Sequence, residues 1–257
     1  MRVVTRAKRK ERSSLLPRCY EAATLLAEPR AGVLCFVFMR CIVTAGPSFE
    51  PLDEVRRLTN FSTGRLGAEL ASFLFDRGHE VMLLIGQQAT YHGQRRAQQM
   101  EMFGASADLR ERLHKRAGQP FDAVFHAAAV SDFAFGGVWR RADDGALVEV
   151  RSGKISSQGG SLLVELTPAP KIIGELRAWF PKARLTGWKY EVEGEPAAVM
   201  ALGERQIADY HTDACVVNGP AYGTGFGLVR AGAQRIHLAD AAALFRELEA
   251  LASEAVR

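Results

Sequence analysis

The segment from Cys41 to Leu70 (CIVTAGPSFEPLDEVRRLTNFSTGRLGAEL) constrains this chain most, because it runs a buried strand into a helix through a long loop rich in cations and hydrogen-bond donors. Cys41 to Ala45 is a short apolar run that suits a strand buried on both faces. Gly46 and Pro47 break it, and Leu66, Leu70, Phe73 and Leu74 then recur at the spacing of one helical face. Thr63, just before Gly64, reads as the helix N-cap. The loop delivers Arg56, Arg57, Asn60, Ser62 and Thr63 to a helix start whose free N–H groups already favour an anion. A phosphorylated or carboxylated ligand is expected there. An isolated GxxG such as Gly64 and Gly67 also arises wherever a helix packs closely on a strand, so the weight rests on the whole combination.

With 257 residues and 47% hydrophobic content, the chain is expected to form one sizeable α/β domain, alone or with an appendage. The net charge of +4 is concentrated at the N-terminus: residues 1–38 carry eight Lys/Arg against three Glu, which leaves about −1 for the rest. A basic nucleic-acid-binding face is therefore not expected. The apolar patch from Gly32 to Phe38 falls far short of the roughly 20 residues a membrane span needs, and Arg40 interrupts its extension. Residues 1–38 are read as a basic leader, disordered or arising from a start codon placed too early, with the domain at 39–257. Cys19, Cys35, Cys41 and Cys215 show no CxxC spacing and are expected to be reduced structural thiols in a cytoplasmic protein.

From Met39 the pattern alternates. Glu80–Ile85, Gln99–Phe103 and Phe121–Ala127 read as strands and Ala107–Ala117 as a helix, an order that predicts an α/β, doubly wound, mostly parallel sheet. Residues 133–162, punctuated by glycine pairs, read as an irregular flap or small hairpin. Alternation is expected to resume with Leu163–Leu166, a helix from about Pro170 to Trp179, strand Ala183–Trp188, a helix from about Glu195 to Ala208 and strand Ala214–Asn218. Two short extended segments follow, then a final helix with Leu244, Phe245, Leu248 and Leu251 buried.

Such a sheet invites a nicotinamide-dependent reductase, but the second strand ends in Ile85, Gly86, Gln87 and Gln88, without the acid that holds ribose hydroxyls. None of the five tyrosines has a lysine four residues later. At the end of the fourth strand, His126–Asp132 (HAAAVSD) offers small residues that let a planar group approach the backbone, and a carboxylate that can accept from a base or ribose or help hold a metal. The plainer reading is strand packing followed by a cap or turn. Lys154, in SGKIS, would by itself be a solvated flap lysine, and Trp188 a core residue.

Taken together, Val43–Gly67 (VTAGPSFEPLDEVRRLTNFSTGRLG), HAAAVSD, the KI pair at Lys154, LTPAPKII (Leu166–Ile173) and LTGWKYE (Leu185–Glu191) resemble the phosphopantothenoylcysteine synthetase family over about residues 41–250. The resemblance implies a Rossmann-like sheet with a flap insertion. It assigns nucleotide contacts to Ala127, Ala128, Asp132 and Lys154, to the backbone of Pro170, Lys171, Ile172 and Ile173, and to Trp188 against the base. It gives Gly46, Ser62, Thr63 and Gly64 to substrate anions, and catalytic roles to Asn60, Arg56 and Lys154. His126 stands where the family often has a small residue and is read as packing. The chain departs from the family at Ala169 and Lys171, which replace an asparagine and an aspartate. It departs again at Gln206 and Tyr210, which replace two triphosphate-binding lysines, and at Gly219, which replaces an aspartate.

The implied activity is a CTP- or ATP-dependent phosphopantothenate–cysteine ligase of coenzyme A biosynthesis. A carboxylate is a poor electrophile, so the nucleotide is spent to make a reactive acyl intermediate that the amine of cysteine attacks. On this reading Asn60 bonds the acyl group and Lys154 stabilises charge at the phosphate. Mg²⁺ would arrive on the triphosphate, held by phosphate and water rather than by a protein metal site, and no flavin is expected. The partners are 4′-phosphopantothenate, cysteine and a nucleoside triphosphate, with no nucleic acid or membrane, in a homodimer. The alternatives are a catalytically reduced homologue that binds a nucleotide or phosphopantothenate-like ligand, favoured by the lost lysines, and, further off, an NAD(P)-dependent reductase.

Overall fold

The structure is a computed structural model and describes residues 38–232 and 234–254. Residues 1–37 of the expected leader, with Cys19 and Cys35, lie outside the described residues. The elements follow in order: β1 (Arg40–Ala45), β2 (Phe49–Pro51), β3 (Arg57–Thr59), α1 (Arg65–Asp76), β4 (Glu80–Gly86), β5 (Gln99–Phe103), α2 (Ser106–His114), β6 (Ala123–His126), β7 (Phe133–Arg141), β8 (Leu147–Glu149) and β9 (Leu162–Pro168). A 3-10 turn (Ile172–Gly174) leads to α3 (Leu176–Trp179), β10 (Arg184–Tyr190), α4 (Pro196–Tyr210), β11 (Ala214–Asn218), β12 (Phe226–Arg230), β13 (Gln234–Leu238) and α5 (Ala241–Ser253).

The main sheet has the order β13-β12-β11-β10-β6-β1-β4-β5. The strands from β11 to β5 pair in parallel, while β12 and β13 return antiparallel. Alternation along β1 explains the layers. Cys41, Val43 and Ala45 face a core shared with Leu70 and Leu74 of α1 and Leu244 and Leu248 of α5. Ile42 faces the opposite core, with Leu109 and Leu113 of α2 and Leu176 of α3. Burial on both faces is what a central parallel strand demands, and β1 supplies it from Cys41 onward, with Thr44 as its one buried polar residue. From β1 the chain moves outward on one side to β4 and β5, then returns to place β6 on the other side. A crevice therefore opens beyond the carboxyl ends of β1 and β6.

Several local expectations are corrected. Of the two forms expected for residues 133–162, the hairpin is the one present, with a third strand added: β8-β7-β9 is an antiparallel sheet within residues 133–168. Leu163–Leu166 belongs to that ribbon and not to the main sheet: β9 has no fully buried residue, whereas β1 and β6 are buried almost throughout. The helix expected over 170–179 is a 3-10 turn and a single α turn. β2 and β3 form a small hairpin inside the long loop after β1, which the sequence pattern did not announce. The stripe Leu244, Phe245, Leu248 and Leu251 is buried as expected. Among the described residues no helix is long and apolar enough to cross a membrane. Cys41 and Cys215 are free and buried, and burial pushes both thiols up, that of Cys215 to about 12.

Candidate functional site

The start of α1 is held against the end of β1 by glycines. A Cβ on Gly67 would stand 2.6 Å from Ala45 Cβ, so helix and strand meet at a distance that only glycine permits. Gly46 and Gly64 both have positive φ, 76° and 77°, and face each other over Ala89. The N-cap is Gly64 in the left-handed conformation rather than Thr63. Thr63 contributes one step earlier, its Oγ1 accepting from the N–H of Arg65 at 3.2 Å.

The HAAAVSD segment prolongs the pairing of β1 with β6 beyond the sheet. Ala127 N–H donates to Thr44 O, Ala129 N–H to Gly46 O, and Ser48 N–H to Ala129 O. The side-chain amide of Asn60 reaches the same carbonyl, Nδ2 donating to Ala129 O at 3.1 Å. These segments enclose a cleft of about 1050 Å³.

That cleft gathers most of the residues singled out from the sequence. Asn60 and Ser62–Gly64 line it on the α1 side, Ala127, Ala128 and Asp132 at the end of β6. Pro170–Ile173 form another wall, with Ile172 and Ile173 buried in the core beneath, and Trp188 stands on β10. Asp132 and Lys171 form an ion pair with each other. Arg65 is likewise paired with Glu69 at 2.8 Å. Lys189 and Glu191 complete the charged lining. Gln206 and Tyr210 line the cleft from α4. Among the described residues no three His, Cys, Asp or Glu side chains are grouped to hold a metal ion.

Three expected residues lie elsewhere. Gly46 sits behind Gly64 and shapes the turn. Arg56 is outside the lining: its guanidinium donates to Asp53 Oδ2 at 3.0 Å and 2.6 Å and to Ile155 O at 2.5 Å. Asp53 also accepts from Ile155 N–H at 3.1 Å, and Glu54 N–H donates to Gly153 O at 2.9 Å. The β2–β3 turn thus clasps the segment carrying Lys154, which is itself exposed and outside the lining. The Arg56 hydrogen bond holds the Asp53 carboxyl well below the usual carboxylate range. Sequence reading missed this clasp, although an aspartate three residues before an arginine was there to suggest it.

It also read His126 as packing alone. The imidazole is buried, hydrogen-bonded to Thr44 Oγ1 at 3.0 Å, and lines the cleft. Burial pushes its pKa down to about 4.

Residues 38–251 match the family described as the DNA/pantothenate metabolism flavoprotein C-terminal domain. The chain is 31% identical over 179 residues to a coenzyme A biosynthesis bifunctional protein CoaBC of Thermococcus kodakarensis, covering 70% of this chain and 41% of that one. It is 29% identical over 187 residues to the CoaBC protein of Bacillus subtilis, covering 72% and 42%. The chain thus spans about two-fifths of the length of these relatives. Its fold is similar to the crystal structure of the DNA/pantothenate metabolism flavoprotein from Streptococcus pneumoniae, with a TM-score of 0.70 and 23% identity, over 83% of this chain and 99% of that one.

Proposed function

This chain belongs to the DNA/pantothenate metabolism flavoprotein C-terminal domain family, the phosphopantothenoylcysteine synthetase family that its motifs resemble, and from that membership we propose that it joins 4′-phosphopantothenate to cysteine at the expense of CTP or ATP. The observation that carries the reading is the convergence, in one cleft, of the Asn60–Gly64 loop with Ala127–Asp132, Pro170–Ile173 and Trp188, segments far apart in sequence. The substrate carboxylate attacks the α-phosphorus of the Mg²⁺-bound nucleotide, pyrophosphate leaves, and the amine of cysteine then displaces the nucleoside monophosphate to form the amide. Asn60, positioned by Ala129 O, is assigned to the acyl oxygen, and the α1 N-terminus with Ser62 and Thr63 to an anionic group of substrate. Lys154 is assigned to the nucleotide phosphate once its segment approaches the cleft. Arg56 acts by holding that segment, its donors being committed to Asp53 and Ile155. A homodimer is carried over from the resemblance.

The test is pyrophosphate release by the full chain with 4′-phosphopantothenate, cysteine, Mg²⁺ and either nucleotide. Cysteine-dependent product with one nucleotide is expected, falling at least about 100-fold in Asn60→Ala with unchanged thermal melting, in keeping with loss of a transition-state donor. One observation favours a second reading, the catalytically reduced binder: two of the cleft's three cations, Arg65 and Lys171, are already paired with carboxylates. Nucleotide binding without turnover would establish it.

A further inference from the structure

Two uncharged side chains, His126 and Gln206, line the cleft, and Gln206 packs over Gly187. They are 7% and 6% exposed. Gln206 Oε1 lies 2.2 Å from where a Cβ on Gly187 would stand, so its amide fills the space that the glycine leaves on β10. β10 and β6 run in parallel register up to Thr186 beside Phe125, and Gly187 and His126 are the residues that follow that pair. Phe125 faces the core of α1 and Val124 the core of α2, so alternation turns His126 to the α2 side, where Ile173 also meets Gly187. The amide and the imidazole therefore share one face of the sheet, both in the lining of the cleft.

Each has one unused atom of fixed character. Gln206 Nε2 donates to Trp188 O at 3.2 Å, which orients the amide and leaves Oε1, buried and without a partner, as an acceptor. Thr44 is fully buried, and its Oγ1 has two partners, Ala128 N–H, which donates to it at 3.1 Å, and His126 Nδ1 at 3.0 Å; the ring nitrogen is the acceptor within reach of the buried hydroxyl proton, which would otherwise go unmatched. The ring proton then sits on His126 Nε2, a neutral donor. A phosphate or carboxylate offers only acceptors and has nothing for Gln206 Oε1; an ammonium offers only donors and has nothing for His126 Nε2–H. A buried polar atom left unmatched by its ligand costs affinity.

We propose that Gln206 and His126 form a specificity subsite for an uncharged ligand group that presents a hydrogen-bond donor beside an acceptor, as a nucleobase edge or a carboxamide does. Gln206, at a position where the resemblance expects a phosphate-binding lysine, then reads a neutral group instead. This inference rests on the ligase reading in so far as the nucleotide and 4′-phosphopantothenate, with its amide, are the candidate sources of that group.

Calorimetric titration of the full chain, as wild type, Gln206→Leu and His126→Phe, with CTP, ATP, 4′-phosphopantothenate and pyrophosphate tests it, with thermal melting as the folding control. Gln206→Leu, on a helix that leucine favours, decides the matter if His126→Phe does not fold. The expected result is a loss of about tenfold or more for the nucleotide or for 4′-phosphopantothenate, whichever supplies the group, with pyrophosphate unchanged within about twofold. Nucleotide and 4′-phosphopantothenate affinities both kept within about twofold in Gln206→Leu overturn the subsite, as does an equal loss for pyrophosphate. Binding is read rather than turnover, so a binding defect in a chain without ligase activity sinks the ligase and leaves the subsite. Normal turnover and binding in Gln206→Leu does the reverse, and a wild-type chain that binds none of these ligands overturns both.

Discussion

His126 shows how a single buried base writes itself into the stability curve. Its folded pKa, about 4, lies below the ordinary value of 6.5 because burial penalises the charged ring. Between these values the unfolded chain takes up a proton that the folded one refuses. The histidine's contribution is therefore intact above about pH 6.5 and is lost progressively as the pH falls toward 4, by at most about 3 kcal/mol. Urea unfolding at pH 7, 6 and 5 should show the wild type losing stability more steeply than His126→Gln, which cannot titrate there; parallel slopes would refute the assignment. Residue identity alone could not reveal this. An apolar strand ending in His126 reads as packing until Thr44, two strand positions from Ile42 on the neighbouring strand, is seen to share its face and bond it.

At the scale of elements, what was legible followed from burial. β1, β4, β6 and β11 are nearly continuous apolar runs because each is covered on both faces, and their order alone implied the parallel sheet. The ribbon β7–β9 was legible only as a possible hairpin, and Leu163–Leu166 was assigned to the wrong sheet, because its strands are half exposed, broken by a bulge between Phe135 and Val138, and stabilised by mutual pairing that leaves no period in the sequence. The site divides the same way. Small residues at strand ends and the α1 start line one cleft, whereas Arg56 and Lys154 are governed by a contact about a hundred residues away along the chain. Asp53→Asn should release that contact. Limited proteolysis should then cut residues 151–156 several-fold faster while the main melting transition stays within a few degrees, since the contact joins the β2–β3 hairpin to that segment and none of its residues belongs to the cores packed on the main sheet. Unchanged cleavage would mean that the segment is held by other means, Ile155 burial foremost.

For the molecule as a whole, the net positive charge belongs to the first 38 residues of the sequence, and the charges that line the cleft are balanced. The lining carries Arg65, Lys171 and Lys189 against Glu69, Asp132 and Glu191, three of each sign. A polyanionic ligand approaching such a mouth meets no net field to draw it in. Its association rate should therefore lie in the ordinary range of about 10⁵–10⁷ M⁻¹s⁻¹ and change by less than about threefold between low and physiological ionic strength, as stopped-flow mixing can record. A steep salt dependence would place the steering charge outside the cleft. If the rate is flat, encounter is blind to polyphosphate, and the chain must tell its ligands apart after they arrive, by how long each one stays.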